Sequence, residues 1–226
     1  MGIFRVDFPN DYKFEGQLKG GEKELNAIEI GGARFIYGDR NIIDRSKEDQ
    51  VDFLVNMSSI LKSSLAKLLE DSPLSELRLY QTREITRKVV ESYFLGLEEG
   101  DFEKIIALHS RTANRCLQAC RNVLELTANY SQYRADIYLK YNTTHFLSHY
   151  VVLIEDIDAG LCAILSPANI LNKYGSMPVI EGKVFNRHRD IIVAQNSLQA
   201  FFLLDRIEDS RPEMKLSSYQ PQWNKV

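Results

Sequence analysis

The histidines are the side chains of this chain best suited to hold a metal ion. His145 and His149 are four residues apart, so a helix through residues 131–158 would present both imidazoles on one face. His109 lies on another predicted helix and could supply a third ligand if the two helices pack antiparallel. These three residues predict a divalent metal site in which the metal activates water or a small nucleophile.

A bundle with one histidine on one helix and a His-x-x-x-His pair on another is similar to the DinB-type metal-binding bundles. That resemblance implies a helical fold around a metal held by His109, His145 and His149. The alternative is that the histidines sit at the edge of a tyrosine-rich core, each satisfied by a hydrogen bond. No glutamate follows His145 as in zinc proteases, so a metalloprotease is not predicted.

Arginines suggest a second kind of site, for anions. Two pairs have the i,i+4 spacing of one helical face and fall on adjacent predicted helices: Arg83 with Arg87, and Arg111 with Arg115. Across an antiparallel helix pair they would converge on a phosphate, a nucleotide or RNA. Because the chain carries a net charge of −3, and because glutamates share these helices, a solvated surface of mixed charge is the simpler interpretation and nucleic acid is not favoured.

Composition excludes several classes of protein. The chain has 226 residues, of which 44% are hydrophobic and 26% charged, which is typical of a globular protein rather than a membrane protein or a disordered one. Three cysteines cannot all pair within one chain, so a reducing, cytoplasmic setting is expected. No phosphate-binding loop, dinucleotide-binding pattern or nucleophile elbow is present, which leaves open whether the protein is an enzyme.

The N-terminal part of the sequence predicts a β-hairpin. Residues 24–30 and 33–37 flank Gly31 and Gly32, and glycine readily adopts the positive φ angles that a two-residue turn needs. Counting outward from the turn pairs Ile30 with Ala33 and places the apolar side chains on one face and the Glu29/Arg34 charge pair on the other. The members of the apolar face are Ile28, Ile30, Ala33, Phe35 and Tyr37.

After residue 45 the apolar pattern is read as helical. Capping residues and a three-to-four-residue period predict five helices, which run from Ser46 to about residue 70, from Pro73 to Glu99, from Asp101 onward, over 131–158 and over 186–208. A polar tail follows, in which Tyr219 and Trp223 are suited to anchoring on a neighbouring protein.

Together these patterns predict an α+β, mainly helical protein. Residues 1–45 form a β-hairpin segment, residues 46–209 a bundle of about five helices, and residues 210–226 an extended tail. We expect a non-catalytic cytoplasmic module that binds another protein, or assembles with its own copies, through the hairpin edge and the tail. No cofactor and no membrane are expected in that case; a metal-dependent bundle protein and an RNA or nucleotide binder are the alternatives.

Overall fold

The protein is described from a computed structural model covering residues 13–17, 24–39, 41–70, 115–142, 147–166, 179–180, 183–184, 190–208 and 214–226. Its strands are β1 (Lys13–Gln17), β2 (Glu24–Ile30), β3 (Ala33–Tyr37), β4 (Tyr133–Asn142), β5 (Leu147–Asp156), β6 (Leu161–Leu165), β7 (Val179–Ile180), β8 (Lys183–Val184), β9 (Asp190–Ala194) and β10 (Asn224–Lys225). Its helices are α1 (Glu48–Glu70), α2 (Cys116–Thr127) and α3 (Ser197–Glu208), and a 3₁₀ turn spans Leu216–Ser218.

A mixed sheet organises the described part of the chain. Its strand order is β1-β2-β3-β9-β6-β5-β4-β10, in which β10 is a two-residue addition to seven principal strands. Strand β9 runs parallel to β3, and the other neighbours are antiparallel. Strands β7 and β8 form a separate two-stranded ladder. The sheet therefore joins the first and last thirds of the sequence side by side.

The predicted N-terminal hairpin is confirmed, with its register. Ile30 pairs with Ala33 and Glu29 with Arg34, and the turn glycines Gly31 and Gly32 have φ angles of 58° and 83°. The hairpin lies inside the sheet, however, because β1 pairs with β2 and β9 pairs with β3. Both of its edges are therefore already occupied, which removes the unpaired hairpin edge expected from the sequence.

Helices cover both faces of the sheet. On one face, α1 and α2 pack on a core that includes Phe35, Ile154 and Val193. On the other face, α3 and the C-terminal residues pack on a second core that includes Ile36 and Ile164. Since strands such as β6 and β9 are buried on both faces, their sequences are continuous apolar runs rather than alternating ones.

These observations correct the predicted fold class. The protein is α+β with a mixed sheet at its centre, and the mainly helical bundle predicted over residues 46–209 is wrong. The helix predicted over 131–158 is the antiparallel pair β4 and β5, and the one predicted over 186–208 begins as strand β9. The first predicted helix is confirmed as α1, and the last ends at Glu208 as predicted.

Most of the predicted second and third helices lies outside the described residues. Only the end of the third is described, as α2, where Cys116 and Cys120 are buried as predicted. Among the described helices, none is long and apolar enough to cross a membrane.

Candidate functional site

Strand β4 carries charged side chains beside the outer edge of the sheet. Successive residues of a strand point to opposite faces, and Tyr138 and Lys140 lie on the face covered by α3. Arg134 and Asp136 share that face by alternation, whereas Ile137 faces the core under α1 and α2. The row of polar residues is partly covered by α3 at one end and open toward Arg134 at the other.

The outer edge of β4 is only partly paired. Asn224 and Lys225 of β10 lie opposite Leu139 and Tyr138, and the Val226 N–H donates to the Ile137 carbonyl oxygen at 3.0 Å. Outward-pointing backbone groups recur at every second residue of an antiparallel strand, so those of Ala135 also point away from β5. Within the described chain no strand pairs with the backbone of Ala135.

A half-open cleft of about 240 Å³ lies next to this edge, where β5 turns into β6. We call it the Arg134 cleft; its lining residues are Arg134, Glu155, Asp156, Ile157, Gly160, Leu161, Cys162 and Gln195. The turn is shaped by the Asp156 carboxylate, which accepts the N–H groups of Asp158 at 2.9 Å and Ala159 at 3.1 Å. Gly160 completes it with a φ angle of 63°.

Side chains of opposite charge line the Arg134 cleft without forming an ion pair with each other. Arg134 and Glu155 are direct cross-strand partners, yet among the described residues neither side chain makes a hydrogen bond or ion pair. At the rim, the side chain of Ile157 is 76% exposed. The cleft thus offers a cation, a carboxylate and an apolar contact to a ligand.

The cysteine in the cleft wall is not an activated nucleophile. Burial, together with the nearby carboxylate of Glu155, raises the pKa of Cys162 to about 12. The thiolate is the reactive form of cysteine, so this thiol is inert near neutral pH. The wall of the Arg134 cleft therefore supplies no cysteine thiolate near neutral pH.

A second polar group ties the C-terminal residues to α3; we call it the Asp205 cluster. The Asp205 carboxylate accepts hydrogen bonds from Lys140 Nζ at 2.7 Å, from the Tyr219 hydroxyl at 2.6 Å and from Trp223 Nε1 at 2.9 Å. Its side chain is buried, and the indole of Trp223 stacks on Phe201 with 5.5 Å between ring centroids. Three donors from two segments compensate the burial of this charge.

His149 contacts this region from β5. Its Nε2 lies 3.3 Å from the Ser166 hydroxyl and 3.7 Å from a Glu208 carboxylate oxygen, and its ring meets Trp223 edge-on. A Ser–His–acid triad uses the two ring nitrogens for different partners, whereas here both groups face Nε2. Ser166 is also buried, so the described contacts of Ser166, His149 and Glu208 do not form such a triad.

Of the three histidines predicted to bind metal, the structure describes only His149. His149 lies on a strand, so the helical spacing on which the His145/His149 pair depended is lost, while His109 and His145 lie outside the described residues. In the part of the chain that is described, no three metal-binding side chains cluster. The metal site stays a prediction that no longer has a helix to support it.

Of the four arginines predicted to form an anion site, the structure describes only Arg115. Arg115 precedes α2 and donates from its guanidinium to the Leu68 carbonyl oxygen at 3.1 Å, which connects α2 to the end of α1. The other three, Arg83, Arg87 and Arg111, lie outside the described residues. The anion site stays a prediction.

Both aromatic residues predicted to anchor a partner contact this chain's own α3. Tyr219 packs edge-on against Phe202, and Trp223 is 7% exposed. The sequence analysis missed the group that receives them, Asp205, although an acidic residue inside the apolar run from Phe201 to Ile207 was a visible signal of a buried polar contact. It also missed the pairing of Arg134 with Glu155, which depends on the β4–β5 register.

Comparison with known proteins identifies no relative: no family model, curated protein or solved structure matches the chain.

Proposed function

We propose that the protein is a non-catalytic interaction module that binds an extended segment of a partner protein along the outer edge of β4. The observation that carries this proposal is the outward-facing backbone of Ala135, which continues an edge that already accepts β10 at Leu139 and Ile137. In strand addition, backbone hydrogen bonds give affinity and neighbouring pockets give specificity. The Arg134 cleft is such a neighbouring pocket.

The pairing of β10 indicates which chemistry the edge accepts. Lys225 Nζ lies 2.7 Å from an Asp136 carboxylate oxygen, so a cation on the added strand meets the anion of β4. Arg134, two residues further along the same face, has the opposite charge. A bound segment would therefore place an acidic side chain beside Arg134, and we expect the partner segment to be extended and to carry an acidic residue there.

Selection of peptides on the full-length protein tests this proposal. A displayed library of random peptides is expected to yield binders with an acidic residue at a fixed position. In the Arg134→Glu variant, the same position is expected to select lysine or arginine. If the preferred residue does not change with the charge at residue 134, the Arg134 cleft does not select the bound segment.

The backbone contribution is tested at Ala135. Ala135→Pro removes an outward N–H but leaves the hydrogen bonds between β4 and β5 intact, so the fold tolerates it better than a central-strand proline. The matched control, Ala135→Val, keeps the N–H and carries a residue that favours the strand conformation. Selected peptides should bind Ala135→Pro at least about tenfold more weakly than Ala135→Val. Equal affinity for the two variants would refute strand addition.

A further inference from the structure

The groove between α3 and β4 is filled by residues 214–226, which we call the C-terminal segment. The segment enters this groove with two aromatic side chains, Tyr219 and Trp223, whose polar atoms both reach Asp205. It then continues as β10 along the edge of β4. The groove is thus a binding site for a short extended segment with two aromatic anchors four residues apart.

The groove is built for a tryptophan. The indole of Trp223 stacks on Phe201, meets the ring of His149 edge-on at 5.7 Å, and lies 5.6 Å from Lys140 Nζ, a distance typical of a cation–π contact. Its N–H has an acceptor in Asp205. A large amphipathic side chain with its polar atom satisfied is typical of an interface anchor.

The link between this segment and α3 is short and polar. Residues 209–213 read Asp-Ser-Arg-Pro-Glu, which contains no apolar anchor apart from the proline ring. Every groove residue named above belongs to α3, β4 or β5, so these described contacts do not involve the link. A segment arriving from another molecule would meet the same partners with the same geometry.

We propose that the groove is an exchangeable docking site whose second occupant is the C-terminal segment of another copy of this chain, giving a strand-exchanged dimer. Exchange replaces identical contacts and needs no new complementary surface, which makes it a low-cost route to association. The attached segment competes at an effective concentration of about 1 mM, so exchange should become populated as the protein concentration approaches that value. The site is distinct from the β4 edge at Ala135.

Complementation between two full-length variants tests the proposal. Trp223→Ala keeps the groove but weakens the segment, whereas Asp205→Asn weakens the groove but keeps the segment. Mixed at equal amounts, they should form a 1:1 complex, detected by sedimentation, at concentrations at least tenfold below those at which either variant self-associates. Leu216→Ala changes an exposed residue of the same segment and is the control for Trp223→Ala. In the mixture it should behave as the unaltered chain.

A peptide experiment keeps the proposal falsifiable if either variant folds poorly. A labelled synthetic peptide of residues 214–226 should bind the milder full-length Tyr219→Phe variant more tightly than the unaltered chain, and the same peptide with alanine at position 223 should not bind. If neither the mixture nor the peptide forms a complex, exchange is refuted. That outcome leaves binding at Ala135 unaffected, so the two proposals can fail separately.

Discussion

Asp205 is the residue on which the packing of the C-terminal segment most depends. It receives donors from Lys140, Tyr219 and Trp223, and the Lys140 and Asp205 side chains are only 14% and 4% exposed. We expect Asp205→Asn to lower the free energy of unfolding by about 2–4 kcal/mol, because Lys140 loses the buried carboxylate that lies 2.7 Å from its ammonium group. Urea unfolding measures this difference.

The matched control for Asp205 is a surface pair of similar chemistry. Lys67 and Glu125 form an ion pair between α1 and α2, with side chains 41% and 68% exposed. Glu125→Gln should change the free energy of unfolding by less than about 1 kcal/mol, since solvent screens exposed pairs. Equal losses in the two variants would show that the Asp205 cluster is not energetically distinct.

Buried thiols make the free energy of unfolding fall at alkaline pH. Burial raises the pKa of Cys162 from 9.0 to about 12 and raises that of Cys120 as well. A raised pKa in the folded state favours the neutral thiol there, so the unfolded chain ionises first. The contribution of these thiols to the free energy of unfolding is therefore fully present below about pH 9. It is lost as the pH rises from there toward their pKa in the folded state.

Urea unfolding at about pH 8 and about pH 10.5 measures this effect. Cys162→Ala should reduce the loss of stability between the two values, because it removes one of the groups that ionise in the unfolded chain. An unaltered pH dependence in that variant would contradict the assignment to Cys162.

At the level of elements, glycines with positive φ angles lie in two of the antiparallel connections, β2–β3 and β5–β6. Gly31 has a φ of 58°, and a Cβ there would lie 2.9 Å from the Ser58 hydroxyl; Gly160 has a φ of 63°, with nothing within 4 Å of a Cβ. Gly160→Ala should cost about 1–2 kcal/mol from backbone conformation alone. Gly31→Ala should cost more, because Ser58 must also move. Thermal unfolding compares them, and a smaller cost at Gly31 would contradict the steric argument.

The elements differ in how far the sequence could predict them. The β2–β3 hairpin combines alternating side chains, a Gly-Gly turn and a cross-strand charge pair, so three local signals agree and its register is confirmed. In α1 a wide apolar stripe indicated the helix correctly, although Ser46, predicted to cap it, donates its hydroxyl to Asp44 instead. Where several local signals indicate the same element, prediction succeeded.

Prediction of the central strands from the sequence failed for a physical reason. The buried runs Val151–Ile154 in β5 and Ile191–Ala194 in β9 are covered on both faces, so they lack alternation. In β4 the residues Tyr133, Ile137 and Tyr141 are spaced by four, which fits one face of a helix and one face of a strand equally well. The candidate site could not be predicted for the same reason, since Arg134 meets Glu155 only through the β4–β5 register.

For the molecule as a whole, one buried ion pair joins distant parts of the chain. Arg34 on β3 donates to both carboxylate oxygens of Asp190 on β9, with 2.6 Å between Nε and Oδ1, and both residues are almost fully buried. Arg34→Met should lower the free energy of unfolding by about 3–5 kcal/mol, because it leaves the Asp190 charge without this partner.

The double variant Arg34→Met/Asp190→Leu separates the contribution of the ion pair from the cost of burying its two charges. Replacing a buried ion pair by apolar residues of similar volume is often close to neutral, so the double variant should recover part of the stability lost in Arg34→Met. Denaturant unfolding of the three proteins gives the comparison. Additive losses would mean that the two residues contribute independently.

Hydrogen exchange at the Ala135 amide tests the central claim most directly. The outward N–H of Ala135 should exchange quickly in the free protein, because nothing described pairs with it, whereas the inward-facing amide of Asp136 should be protected by the β4–β5 ladder. Binding of a peptide selected on the full-length protein should slow exchange at Ala135 by at least about tenfold. Tight binding that leaves the Ala135 amide exchanging at its free rate would contradict the account.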